Sequence, residues 1–554
     1  MQKYSGSFLK CSFAVICHFI LNISILQGQP AAQSQTKIWD KHEISFNSQA
    51  TYENPLYDVR EFYATFTSPS GRSFKMNGFW DGGTTWKIRF MPDETGTWQY
   101  QTFCSKQDDD GLHNITAGFT CVANDNPLDI YQKGNIDRSV GNYHLMYADG
   151  TPFFFTACTA WNGTLKSTDE EWDTYLQHRK DHNYNVIQFV TTQWRGGDQN
   201  SEGQVAYTGT GKIDINPEFF QHMDQKVDRI NEYGLVAAPV LLWALPVGQG
   251  RELSPGYSLP DEEAILLAKY TVARYGAHHV IWILGGDGFY LEQYEDRWKY
   301  IGRQVFGDGP PGIVSQHPRG RSWIGDAYAN EHWLDIVGYQ SSHSNQEGTV
   351  NWINKGPMAA QWDKLPPRPI INMEPNYEEI RFEITAQDVR NASYWSLFAT
   401  PMAGITYGAN GIWPWIREGE RILNHGSPDD QPPSTWRESI DFPGSLQIGY
   451  LSAFIQQFEW WKLKPATALL AEQPGDQVYN HFISVVKTDD EALMLAYVPV
   501  KSTLKLYNPQ KINYTGRWFN PATNQYQPAN ITNKNGLIEA DSPTDEDWVL
   551  VLEK

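Results

Sequence analysis

Val280-Ile281-Trp282-Ile283-Leu284-Gly285-Gly286-Asp287-Gly288 decides the fold of this 554-residue chain. Five apolar residues run without alternation and stop at a glycine pair, the pattern of a short strand buried on both faces. Seven more apolar segments share the middle of the chain with it: residues 153–160, 185–191, 235–243, 312–317, 335–342, 369–374 and 404–413. Amphipathic helices are predicted between them, and several of their ends are legible. Ser167 and Glu170 suit a capping box, Asn216-Pro217 opens a helix that Gly234 closes, and Pro260 opens one that Gly276 closes. Eight strand–helix repeats within residues 126–464 predict a central (β/α)8 TIM barrel rather than an open sheet.

Outward from the barrel the pattern changes. Residues 37–125 carry short alternating segments such as HEISFNS and TWKIRFMP, punctuated by Ser-Gly, Gly-Gly and Thr-Gly turns, which predict an N-terminal β-sandwich. Residues 465–554 repeat that style (HFISVVKT, ALMLAYVPV, DWVLVLEK) and predict a C-terminal β-sandwich. At the other end, Lys3 and Lys10 precede an apolar stretch over residues 11–26, so residues 1–28 read as a signal peptide. An exported protein is expected, whether periplasmic, cell-surface or secreted. No later window is apolar enough to span a membrane. Cys104 and Cys121 either pair across neighbouring strands or are two buried thiols, and Cys158 reads as a small core residue.

Charge narrows the partners. Lys and Arg number 44 against 64 Asp and Glu, a formal charge of −20 with no basic run, which argues against a nucleic-acid or anionic-membrane partner. The 22 tryptophans need folded surroundings and offer flat apolar faces.

A barrel of this kind keeps its chemistry at the C-terminal ends of its strands, so those ends carry the functional reading. They supply Trp161 and Asn162, Trp194, Trp243, Asp287, His317, Gln340 and His343, Glu374 with Tyr377, and Trp413 with Trp415. Carboxylates directly at strand ends are few, and Asp287 on the fourth strand and Glu374 on the seventh stand out. Two carboxylates among tryptophans and tyrosines across a barrel mouth suit glycosidic bond cleavage, one protonating the leaving oxygen and the other attacking or stabilising the anomeric carbon. Asp287 is expected as acid/base and Glu374 as nucleophile, with the aromatic, His, Gln and Asn residues of the same ends contacting a polysaccharide or oligosaccharide. The glycines before Asp287 would let backbone approach a ligand closely.

The rest of the sequence offers no metal or cofactor signature, and none is expected. His178 and His182 share a helix face without an HExxH context, Asp108-Asp109-Asp110-Gly111 lacks the remaining calcium-loop spacing and reads as a solvated turn, and no dinucleotide or phosphate-loop fingerprint occurs. Six N-x-S/T sequons include Asn162.

The segments DGTPFFFTACTAW, VIWILGGDG and PIINMEPNYE resemble the catalytic domain of apiosidase-like glycoside hydrolases, family 140 and its relatives. YENP, FTSPSG, GFWDGG and WKIRFMPDETGTW resemble the domain of unknown function 5060 that precedes such barrels, and WFNPATNQ with DWVLVLE resembles a small sandwich described as collagen-binding. The resemblance implies a retaining hydrolase with Asp287 as acid/base and Glu374 as nucleophile, and its characterised activity releases apiose-containing units from a pectic side chain. Where the family has Gly-Asp-Thr-Ala-Trp, this chain has Ala157-Cys158-Thr159-Ala160-Trp161, a change expected to reshape the first sugar subsite. The function expected is hydrolysis of a complex plant or algal polysaccharide; the alternative is a catalytically silent glycan-binding protein on the same scaffold.

Overall fold

A computed structural model describes residues 34–138, 140–307, 309, 312–425 and 433–554. The predicted signal segment, residues 1–28, lies outside them. The eight expected strands form one parallel sheet: β1 Phe155–Thr159, β2 Val186–Val190, β3 Val236–Trp243, β4 Ile281–Gly286, β5 Ile313–Ser315, β6 Val337–Gln340, β7 Ile370–Glu374 and β8 Gly404–Tyr407. Their order is β5-β4-β3-β2-β1-β8-β7-β6, with β1 joined to β8 through Phe155 and Gly404. Only the β5/β6 seam lacks a ladder, and a single bridge from Ser315 to Ile336 crosses it. The barrel is therefore nearly closed.

Helices lie between most strands: α1 Asp169–Asp181, α2 Pro217–Glu232, α3 Asp261–Tyr275, α4 Glu295–Phe306, α5 Glu347–Lys355 and α6 Ala386–Phe398, with α7 Pro443–Ile455 after β8. No helix forms between β5 and β6, where Pro318, Gly320, Gly325 and Asn330 break up the run into turns. The capping box of α1 sits one residue later than expected, at Thr168 and Glu171. Ser167 instead ends the short helix Gly163–Lys166. Strand β8 stops at Tyr407 rather than continuing to residue 413, because residues 409–416 coil into tight turns.

The N-terminal domain has a five-stranded and a three-stranded sheet that share one aromatic core around Phe66, Trp86 and Trp98. A buried ionic network fixes it to the barrel. Arg89 and Arg274, almost wholly buried, both grip the carboxylate of Asp224 on α2, and Arg274 also reaches Asp81 at 2.8 Å. The C-terminal domain, a six-stranded and a three-stranded sheet, docks on α6 and α7. Tyr497 stacks on Tyr394 at 4.6 Å, Phe519 on Phe454 at 4.1 Å, and Arg390 makes a two-pronged contact with buried Asp547.

Cys104 and Cys121 are separate buried thiols. Cys121 lies opposite Gly96, so the two cysteines sit at opposite ends of the same ladder, eight positions or about 26 Å apart at ~3.3 Å per residue, beyond the reach of a disulfide. Asp109 is not a solvated turn residue: it is 2% exposed and accepts from Ser48, Tyr52 and the backbone of Gln49 and Gly111. Among the described residues no group of His, Cys, Asp and Glu could hold a metal ion, and His178 and His182 stack on each other at 4.0 Å. No described helix is long and apolar enough to cross a membrane.

Candidate active site

Asp287 follows the last residue of β4, and Glu374 is the last residue of β7. The turn carrying Asp287 is tight. A Cβ on Gly286 would lie 2.6 Å from the Trp243 ring, and one on Gly288 would strike Tyr290. These glycines make room for neighbouring side chains rather than for a ligand, correcting the sequence-based expectation. Asp287 itself adopts φ of +43°, a left-handed conformation that costs a non-glycine residue about 1–3 kcal/mol and is typical of functional turns. Its N–H donates to Nδ1 of His317, 2.9 Å away.

Glu374 is buried and held from two sides. Oε1 lies 2.9 Å from Nε2 of His343, whose Nδ1 lies 2.8 Å from the Pro375 carbonyl. Oε2 lies 3.3 Å from Nε2 of His317. The same imidazole thus meets the Asp287 backbone on one side and the Glu374 carboxylate on the other, and the Glu374 charge acts on the Asp287 carboxyl.

Their environments push them apart. Burial, then the charge of Glu374, drives the Asp287 carboxyl well above the ordinary range, against the opposing guanidiniums of Arg195 and Arg319. Burial works the same way on Glu374, but hydrogen bonding from the His317 and His343 rings outweighs it and holds that carboxyl well below its usual range. The two shifts run in opposite directions, so there is a range of pH in which Asp287 keeps its proton while Glu374 is ionised, the division that acid-assisted displacement requires.

Around them the strand ends build an aromatic wall. Trp161 packs against Trp243 at 5.4 Å and His317 at 5.8 Å, Trp194 against Trp243 at 4.2 Å and Trp413 at 6.1 Å, and His343 against Tyr377 at 4.3 Å. Trp161 donates to the Tyr377 hydroxyl at 3.0 Å. The indole N–H groups of Trp243 and Trp413 are buried without a hydrogen-bond partner among the described residues. Gln340 lies beside Glu374 in the β6/β7 ladder.

Not every expected contact faces the cleft. Trp161, Trp194, His317 and Tyr377 are 2% exposed or less, so they back the surface instead of presenting it. Asn162 is fully buried, its amide spent on the Gly196 and Pro414 carbonyls and on the Trp194 N–H. It clasps three loops and is shielded as a glycan acceptor. Trp415 is outside the site altogether: it stacks on Trp436 at 4.8 Å, contacts Trp172 and Tyr175, and donates to Glu171. Early termination of β8 turns it away.

Position 158 is also not in the site. Cys158 is on the outer face of β1, where its sulfur faces the Arg179 guanidinium of α1 at 3.8 Å. Arg179 is fully buried between Tyr175 and Tyr184 and has no carboxylate partner among the described residues. The family's missing aspartate therefore alters a helix contact, not a sugar subsite. Cys158→Asp should supply the absent counter-ion and raise stability by about 1–3 kcal/mol, read as an increase in Tm by calorimetry; a lower Tm would show that burial of the new charge outweighs its pairing.

Sequence reading passed over three residues here. Arg195 and Arg319 influence Asp287 electrostatically, although Arg195 directly follows a selected tryptophan. His425 packs on Trp413 at 4.9 Å, its imidazole pushed down to about 4 by burial. It comes from the long loop after β8, where no strand end marks it.

Residues 139–462 match the family described as Apiosidase-like, catalytic domain. Residues 35–105 match a domain of unknown function, DUF5060, and residues 465–553 a proposed collagen-binding domain of a collagenase. Among solved structures, one described as a glycoside hydrolase superposes with a TM-score of 0.65 at 24% identity, covering 76% of this chain and 98% of its own. A glycoside hydrolase family 5 protein from Bacteroides vulgatus ATCC 8482 gives 0.66 at 22% identity, covering 76% and 94%. A proposed glycoside hydrolase from the same organism gives 0.67 at 18% identity, covering 94% and 100%. At these identities the likeness is one of fold. No curated protein matches the chain.

Proposed function

This chain belongs to the apiosidase-like glycoside hydrolases, whose catalytic-domain model matches more than half of it, and from that premise we propose that it cleaves a complex plant or algal polysaccharide by a retaining mechanism. Asp287 protonates the glycosidic oxygen and Glu374 attacks the anomeric carbon; water then releases the sugar with Asp287 as base. The observation that carries this reading is the single imidazole joining the Asp287 backbone to the Glu374 carboxylate, two strand-end acids whose proton affinities are driven in opposite directions. The Trp243 and Trp413 rings suit contact with the apolar face of a sugar.

We read the architecture as a (β/α)8 barrel between two β-sandwiches, bounded at residues 37–125, 126–464 and 465–554, and the protein as exported after loss of residues 1–28. N-terminal sequencing of the secreted protein tests export.

A reducing-sugar assay across pectic and marine glycans tests the reaction, and proton NMR of the first-formed anomer tests retention. Binding without release of reducing ends would assign the chain to the silent glycan-binding class instead. The substrate should be acidic: neither Arg195 nor Arg319 has a carboxylate partner in an ion pair among the described residues, in a protein of net charge −20. Arg195→Ala should raise KM on uronate-bearing or sulfated glycans about tenfold, as expected for one lost charge-assisted contact. An unchanged KM would remove the acidic requirement.

A further inference from the structure

His317 is fully buried, so it does not touch a sugar, yet its ring is the only link between the two proposed catalytic groups among the described hydrogen bonds and ion pairs. Its backbone is stitched to the Asp287 turn as well. The His317 N–H donates to the Gly285 carbonyl at 3.1 Å, and the Gly288 N–H donates to the His317 carbonyl at 3.4 Å. The rings of Trp161 and Trp243 pack against it at 5.8 and 6.4 Å.

Hydrogen-bond logic fixes its tautomer. A backbone N–H can only donate, so Nδ1 of His317 accepts from Asp287 and the neutral ring carries its proton on Nε2. That proton faces Glu374 Oε2 at 3.3 Å, and neither atom makes another hydrogen bond among the described residues. Oε1 is engaged by His343. The two oxygens of Glu374 are therefore unequal: one is held by His343 at 2.9 Å, the other meets His317 at 3.3 Å.

We propose that His317 is a positioning residue that sets both carboxylates at once, holding Asp287 through its backbone and steering Glu374 so that Oε2 is the attacking oxygen. This rests on the acid/base and nucleophile assignment above. In the step it serves, an electron pair of Oε2 forms the bond to the anomeric carbon while the glycosidic C–O bond breaks. The leaving oxygen keeps that bonding pair and takes the proton of Asp287, which becomes a carboxylate.

Two substitutions divide the role. In His317→Asn the amide oxygen can replace Nδ1 as acceptor for Asp287 but falls short of Glu374. In His317→Gln the amide can reach Glu374 but leaves the Asp287 N–H without its acceptor. Both variants should lower kcat on natural glycans by about 10²-fold or more, the scale of lost acid catalysis. On a panel of 2,4-dinitrophenyl pentosides and hexosides, whose leaving group needs no proton, His317→Gln should return to within about tenfold of wild type, whereas His317→Asn should stay slow. Two folded variants behaving alike on both substrate classes would overturn the proposal. Nitrogen-15 NMR of the wild-type protein labelled at histidine gives a readout independent of turnover: His317 should show its proton on Nε2, and a proton on Nδ1 would overturn the link to Asp287. If the wild type cleaves nothing, the functional reading fails, and the NMR result alone decides whether the ring joins the two groups.

Discussion

Glu374→Gln is expected to lower kcat by about four orders of magnitude or more, the scale seen when a nucleophile is removed. The physical reason is specific to this site. The carboxylate is buried and kept ionised by two imidazoles, and a neutral amide in its place has no electron pair basic enough to form the bond to the anomeric carbon. The neutral amide should also change its partner. Part of what keeps the Asp287 proton in place is the negative charge of Glu374, so the Asp287 titration should move to lower pH in the glutamine variant. Asp287→Asn should cost roughly 10²–10⁴ in kcat on glycans with poor leaving groups, and far less on dinitrophenyl glycosides. In the wild type the acid limb of kcat/KM is expected to follow Glu374 and the alkaline limb Asp287, because in the proposed mechanism the first must be ionised and the second protonated. Full activity of either variant, with an unchanged circular dichroism spectrum, would remove that residue from its role.

The second large effect concerns stability. Asp224→Asn should destabilise the junction between the N-terminal domain and the barrel by about 3–5 kcal/mol, the cost of breaking a buried ionic contact from one side. Asp224 accepts from Arg274 Nε and Nη2 at 2.7 Å each and from Arg89 Nη2 at 2.6 Å. An amide would turn an N–H toward those guanidiniums, leaving Glu43 and Asp81 to hold two buried charges between them. Despite burial, both guanidiniums hold the Asp224 carboxyl far below the ordinary range. Its contribution is therefore complete above the unfolded carboxyl's titration and is lost as pH falls through the folded value. Urea unfolding followed by the N-terminal tryptophans checks this; a midpoint equal to wild type at pH 7 would mean that the junction relaxes around the loss.

The strand ends show how far a sequence can carry such a reading. All eight barrel strands were legible because parallel strands buried on both faces are continuous apolar runs, and Asp287 and Glu374 were legible because a carboxylate at the end of such a run has little other reason to be there. Depth was not. Trp161 and Trp243 look alike in sequence, yet the first spends its N–H on Tyr377 and that of the second has no hydrogen-bond partner among the described residues. Trp413 and Trp415 are two residues apart, and the coil after β8 sends one toward His425 and the other toward Trp436. Cys158 is the small core residue its surroundings suggest, but the expected reshaping of a sugar subsite there failed for the same reason: facing direction depends on pairing register, here Cys158 with Ile187 on β2, which no local pattern states.

The order of elements, the parallel character of the central strands and the pair of acidic residues follow from short-range features: runs of apolar side chains, turn residues and caps, each set within about ten positions of the chain. What tertiary structure alone decided was partnership. His317 and Glu374 are 57 positions apart, Arg89 and Asp224 135, and they meet only because barrel closure and domain docking bring them together. The opposed proton affinities of Asp287 and Glu374 arise from that meeting, since burial and neighbouring charge belong to the folded arrangement and not to any stretch of residues.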